Sequence, residues 1–431
     1  MLCVLLLFLA APAAAQTLPE PIDPADYPAH PPALVELGRL LFHDPILSGN
    51  RNIACSTCHS AEHGGGDGLS LGIGEGGTGL GPERVAGPIA KRIPRNAPAL
   101  WNLGHRDVTV LFHDGRLEAS EIYGNGFSSP AEEWLPEGLD SILAAQALFP
   151  LTARFEMAGS PESNPVGGAV NDRIDAAWPL IAVRVSAVPA YYDMLRDAYP
   201  AIAGEADVTA VHLANALAAF MTVQFASHDS PFDAFLRGDE GALTPDQRAG
   251  MDLFYGAAGC ADCHSGPLLS DQSFHALGLP AFGPGRTRAF DPLPRDLGRM
   301  AESDRLEDAY RFRTPMLRNV ALTAPYGHNG AYPTLHAIVR HHLDPAGSAA
   351  AWRPADAALP EVPHLARADF AIRADRREMA RQAAALDIAP RPLTDPQVDA
   401  LVAFLHALTG ATAATPPLET PDTVPSGLPV D

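Results

Sequence analysis

The sequence predicts a mostly α-helical chain built from two tandem copies of one unit and joined by long loops. Three observations predict it. The motif C-x-x-C-H occurs twice, as Cys55-Ser-Thr-Cys58-His59 and as Cys260-Ala-Asp-Cys263-His264. A stretch that reads as the end of an amphipathic helix precedes each copy, Leu37-Gly-Arg-Leu-Leu-Phe42 in the first and Gly250-Met-Asp-Leu-Phe254 in the second. The 42 prolines and 37 glycines predict a loop-rich chain, as expected where something other than a sheet organises the core.

Taken in order, residues 1–15 read as a secretory signal peptide. An apolar run ends in Ala13-Ala14-Ala15, a small-residue cleavage site before Gln16. The run carries no Lys or Arg ahead of it and is too short to span a membrane, and no later stretch is apolar enough to do so. Residues 16–235 form the first unit. Within it, Gly64 to Gly81 is a Gly-rich loop with no phosphate-binding motif, and Val208 to Phe225 has helical periodicity. Ser230 to Gly238 reads as a turn connecting the units. Residues 236–410 form the second unit. Thr244 is a good N-cap with Pro245 behind it, and Thr394 to Leu408 is a capped amphipathic helix stopped by Gly410. The Pro/Thr/Ala-rich end, 411–431, reads as a disordered tail.

C-x-x-C-H is the attachment signature of c-type haem: two thiols bond to the porphyrin and the adjacent imidazole ligates iron. Four of the five cysteines fall in the two motifs, and Cys3 lies in the expected signal segment. Cys55, Cys58 and His59 thus hold one haem, and Cys260, Cys263 and His264 another. Zinc half-sites are the alternative, but such pairs sit about 15–20 residues apart, whereas these are widely separated. The fold expected is two cytochrome c-like domains with covalently bound haems. A formal net charge of −21 argues against nucleic acid and anionic membranes. It suits a basic redox partner, or solubility alone.

Two haems serve either electron transfer, with both irons closed, or catalysis, with one iron open. A peroxidase needs in addition an acid–base group that moves a proton between the peroxide oxygens. The second haem stores a second electron.

Further marks are Pro94-Arg-Asn-Ala-Pro98, Asp114-Gly-Arg116, Phe155-Glu-Met157, Phe312-Arg-Thr-Pro315, Leu317-Arg-Asn319 and Thr323-Ala-Pro-Tyr326. With the haem motifs, they make the chain from about Ala33 to Gly410 resemble the bacterial di-haem cytochrome c peroxidase family, including its MauG branch. The resemblance implies a periplasmic enzyme that reduces hydrogen peroxide at the N-terminal haem. Electrons from a small cytochrome c or a cupredoxin enter through the C-terminal haem. It implies Glu156 as the catalytic acid–base and Gln146 as the group that orients peroxide. It implies a calcium ion held by Asn96, Thr323 and Pro325, oxygen donors suited to a hard cation, and a homodimer.

Three departures stand out. Where reductively activated members carry a loop histidine, this chain has Ile73-Gly-Glu75-Gly76, so the N-terminal haem is expected open at rest; His63 reads as a loop histidine. The sixth ligand of the C-terminal haem, Met in the family and Tyr in MauG, becomes His342, with His341 its rival. The inter-haem Trp becomes His113; Trp101 is near in sequence but not at that place. A MauG-like oxidation of partner-protein residues is the competing enzyme reading, and a plain electron carrier the non-catalytic one.

Overall fold

The computed structural model describes residues 17–287, 291, 293–415 and 417–430. The expected signal peptide lies outside the described residues. Five helices position the site: α1 (Pro32–His43), α2 (Ala210–Gln224), α3 (Pro245–Phe254), α4 (Leu335–Leu343) and α5 (Asp395–His406). Strands are two or three residues long and form three small antiparallel sheets. No helix among the described residues is long and apolar enough to cross a membrane.

The helices begin where capping chemistry places them. Thr244 Oγ1 accepts from Gln247 N–H at 3.3 Å, and Gln247 Oε1 accepts from Thr244 N–H at 2.9 Å, which starts α3. Thr394 and Gln397 start α5 in the same way. Val208 to Phe225 is helical as its periodicity predicts, over the slightly shorter span of α2.

The internal repeat is a repeat of packing. In the first half α1 crosses α2, and in the second α3 crosses α5. A Cβ on Gly38 would lie 2.5 Å from the Ala216 carbonyl carbon and 2.9 Å from Phe220 Cβ. A Cβ on Gly250 would meet Ala400 and Phe404 at the same two distances. Four residues on, Phe42 packs on Phe220 with ring centres 5.0 Å apart, and Phe254 on Phe404 at 5.2 Å. Each crossing centres its own apolar cluster. One gathers buried residues from Ile22 to Phe225, and the other chiefly those from Phe232 to Leu408. Leu71, from the Gly-rich segment, joins the second cluster.

Two expectations are corrected. Ser230–Gly238 contains a short helix, Pro231–Leu236, rather than a plain turn. Ser230 caps it, and Asp233 forms a buried ion pair with Arg318 at 3.0 Å. That partner lies far along the chain, so local composition shows only the turn residues. The closing segment is not a disordered tail over its described residues: it lies against the first half. The Gln224 amide donates to Leu418 O at 3.0 Å and accepts from Leu418 N–H at 3.1 Å. Ser426 Oγ donates to Asp44 at 2.7 Å, and Leu418 and Leu428 pack on the first cluster. Its few apolar side chains and a matched amide overcome a composition that favours disorder.

Gly250→Ala should lower unfolding stability by about 3 kcal/mol, because an added methyl forces two packed backbones apart. Gly204→Ala, where a Cβ meets nothing within 4 Å, should change it by less than about 0.5 kcal/mol. Denaturant unfolding of the full chain measures both.

Candidate active site

The imidazoles of His264 and His342 face each other, with ring centres 6.4 Å apart and planes at 54°. A first-row metal stands roughly 2 Å from a ligating imidazole nitrogen, hence about 3 Å from the ring centre. The gap therefore fits one iron between two axial rings. His264 comes from the second motif and His342 from the last turn of α4. Each donates Nδ1–H to a carbonyl, His264 to Leu269 at 3.0 Å and His342 to Ile338 at 2.8 Å. That tautomer leaves Nε2 with a lone pair for metal. Burial lowers both pKa values, His264 to about 4, so both rings are neutral. The rival His341 has both nitrogens engaged, Nδ1 with the Tyr332 hydroxyl at 2.9 Å and Nε2 with Leu277 O at 2.8 Å. It is a fully buried packing histidine.

In the first half, the Ser56 N–H donates to Phe42 O at 3.1 Å, which ties the first motif to the end of α1. His59 repeats the tautomer lock, donating Nδ1–H to Gly65 O at 2.9 Å, and burial lowers its pKa. A cavity of about 680 Å³ reaches both motifs; His59, Gln146, His113, Cys260, His264 and His342 are among its walls. Two buried donors in those walls, Trp101 Nε1 and Arg318 Nη2, lack a partner. A haem with its propionates suits such a lining, since buried donors are nearly always satisfied. Zinc does not suit it. Among the described residues the one cluster of three potential metal ligands is Cys263, Asp271 and His275, which leaves Cys55 and Cys58 out.

Gln146 lies half-buried on the helix Ile142–Ala147, capped by Ser141, and shares the cavity with His59. Glu156 is not one of the cavity's walls. It sits on a single wide turn, Arg154–Ala158, where Gly159 N–H reaches back five residues to Arg154 O at 3.1 Å. Such wide turns are frequent at functional sites. Burial raises the Glu156 pKa, against the pull of Arg116 and Arg286, and its charge is felt at the Cys58 thiol. Glu75, at the loop-histidine place, has Oε1 held by Asn50 at 2.8 Å and Asn52 at 3.1 Å. The His63 ring packs within the Gly-rich segment, where a Cβ on Gly81 would meet it at 2.9 Å.

The two halves are joined by charge. Asp114 has no exposure and pairs with Arg95 at 2.6 Å and with Arg116 and Arg286 at 3.2 Å. Burial pushes its pKa up, but the three guanidiniums hold it well below the carboxylate range. Arg95 also pairs with Asp296 across the halves at 2.7 Å. Gly115 has φ +65°, and a Cβ there would strike the Phe274 ring. Arg116 lies 3.6 Å from the Phe112 ring centre. His113 donates Nε2–H to Asn96 O at 3.1 Å; burial, then Arg95, lowers its pKa to about 4, so it is a neutral donor. Asn96, Thr323 and Pro325 all line the cavity. The Asn96 amide donates to Leu69 O at 2.7 Å, which leaves its side-chain oxygen as an acceptor.

The profile of the di-haem cytochrome c peroxidase family matches residues 32–241. The methylamine utilization protein MauG of Methylorubrum extorquens is 32% identical over 72% of this chain and 69% of its own length. The chain belongs to the di-haem cytochrome c peroxidase family. It is an oxidoreductase of the cytochrome c peroxidase type. The cytochrome c peroxidase Ccp of Escherichia coli (strain K12) is 33% identical over 71% of this chain; the match spans 52% of that relative, about half its length. A solved MauG-like protein associated with microbial copper homeostasis aligns with a TM-score of 0.61 and 26% identity, covering 95% of this chain and 98% of that one.

Sequence reading of this family member missed the buried arginines. Asp114-Gly-Arg116 is visible as a motif, but not as the centre of a guanidinium cluster. Trp101, set aside for its position, lines the cavity and packs edge-on against Phe225 at 5.4 Å.

The two adjacent histidines are separable by spectroscopy. His342→Gly should remove the low-spin signal of one haem in the resting EPR spectrum, and His341→Gln should keep it. The reverse result would make His341 the ligand.

Proposed function

We propose that this chain reduces hydrogen peroxide to water with single electrons from a small cytochrome c or a cupredoxin, in the periplasm. The observation that carries the reading is an asymmetry between the motif histidines. His264 faces a second imidazole at 6.4 Å. Among the described residues His59 makes no contact with an aromatic ring, and it shares its cavity with Gln146.

Cys55, Cys58 and His59, and Cys260, Cys263, His264 and His342, would each hold a haem c, and the pair would supply the electrons and the redox-active iron that peroxide reduction needs. The protein's own part is positioning and proton movement. The Gln146 amide orients the peroxide. The Glu156 carboxylate accepts the proton of the near oxygen and gives it to the far one, so that water leaves rather than hydroxide. Two further protons and two electrons complete the balance to two waters. A glutamate raised by burial suits both halves of that transfer, since its pKa lies nearer neutrality than usual. The cations of Arg116 and Arg286 oppose that rise.

Glu75, occupied by Asn50 and Asn52, supplies no imidazole to close the N-terminal haem. The enzyme is then competent without prior reduction. Asn96 Oδ1 and the Thr323 and Pro325 carbonyls would hold a calcium ion, for which such hard oxygen donors are suited. A second reading, oxidation of residues in a partner protein, is favoured by the missing loop histidine and by the likeness to MauG. The His342 and His113 substitutions count against it.

Glu156→Gln should lower kcat/KM for peroxide by roughly 10²-fold or more; an unchanged rate removes Glu156 from the mechanism. In the native enzyme the rate should fall as pH drops through the raised Glu156 pKa, above the ordinary value of about 4.3, because the protonated acid accepts nothing. That acid limb should vanish in the variant.

As-isolated and pre-reduced enzyme should consume peroxide at equal rates with a reduced cytochrome donor. A lag or silence in the as-isolated form would mean that a closing ligand exists. Slow turnover in both would favour the partner-protein reading.

A further inference from the structure

The Gly-rich segment is folded around one guanidinium. Arg84 is 3% exposed. Its Nε donates to Ile73 O at 2.6 Å, its Nη2 to Gly74 O at 3.0 Å and Gly77 O at 3.2 Å, and its Nη1 to Gly79 O. Among the described residues no carboxylate stands within ion-pair distance of it. Buried carbonyls must find donors, and a glycine-rich loop has no helix or ladder to supply them. The planar fork of one arginine does so at four points, which a lysine's single ammonium does not match.

The far side of this loop is the support of the Glu156 turn. Glu75 N–H donates to Phe155 O at 3.1 Å. A Cβ on Gly74 would come within 2.7 Å of Glu156 O and 2.8 Å of its Cα. Asn50 donates to Glu75 and accepts from Asn164 Nδ2 at 3.0 Å. Asn164 Nδ2 also donates to Ala158 O, at 2.9 Å, at the end of the same turn. Loop and turn thus close a circuit: Arg84, the loop carbonyls, Glu75, Asn50, Asn164 and back to the turn.

We infer that Arg84 is a positioning residue: by fixing the Gly-rich loop from Ile73 to Gly79, it sets where the Glu156 carboxylate stands. The inference rests on the proposed role of Glu156. Every group in the circuit lies between residues 50 and 164, remote in sequence from the second motif, so the same support is expected in either oxidation state of the C-terminal haem.

The test uses the full haem-loaded enzyme carrying Arg84→Lys. Amide hydrogen exchange over residues 73–79 should quicken by ~10-fold or more, and equally in oxidised and half-reduced enzyme. Unchanged exchange overturns the inference, as does quickening in one redox state alone. In a double-mutant cycle, Arg84→Lys should lower kcat/KM for peroxide by ~10-fold, with a shifted acid limb. In a Glu156→Gln background the same change should cost less than about 2-fold. Equal losses in both backgrounds mean that Arg84 does not act through Glu156. Should Arg84→Lys not fold, Gly74→Ala pushes the loop off the turn and should show the same non-additivity. Full activity in Glu156→Gln alone would sink the proposed mechanism, while the exchange result would still decide whether Arg84 holds the loop.

Discussion

Two helix crossings, each made possible by one glycine, are the constraint on which the rest depends. Gly38 lets α1 lie against the backbone of Ala216, and Gly250 lets α3 lie against Ala400. With backbones this close, the phenylalanines four residues on, Phe42 and Phe254, pack at an angle against Phe220 and Phe404. That fixes the end of each leading helix. The C-x-x-C-H loops are tied back to these helix ends, the first by Ser56 N–H to Phe42 O at 3.1 Å, the second by Ala258 N–H to Leu253 O at 2.9 Å. The histidines are therefore placed by core packing of helices rather than by loop conformation, which suits a site that must hold its geometry closely.

Buried charge links the halves, beside apolar contacts such as Leu71 in the second cluster and Leu268 in the first. Asp114 with Arg95, Arg116 and Arg286 forms a network whose desolvation offsets much of its attraction. We read it as a register device. Arg95 reaches Asp296 in the second half, and Arg116 lies over the Phe112 ring and within the field felt by Glu156. The same ions that join the halves also tune the one acid proposed to move protons.

Much of this was legible in the sequence because the signals are local. The capping boxes at Thr244 and Thr394, the helical periodicity before each motif and the C-x-x-C-H pairs all act within a few residues. What escaped depends on partners remote in the chain. His341 and His342 are neighbours on one turn, and only Tyr332 and Leu277, which occupy both nitrogens of His341, tell them apart. The helix at Pro231–Leu236 is anchored by Arg318 and Ala407. Arg84 was invisible because its partners are backbone carbonyls, which leave no mark in residue type.

The returning C-terminus has a consequence for how the molecule is made. Gln224 and Asp44 belong to the first half, yet they are matched by Leu418 and Ser426, which lie 194 and 382 residues further along the chain. The earlier-synthesised lobe therefore waits, with an open flank, until the later one has been built and its trailing strap has swung back. Loss of residues 418–428 would be felt first not by the helices next to them in the chain but in the first half of the protein.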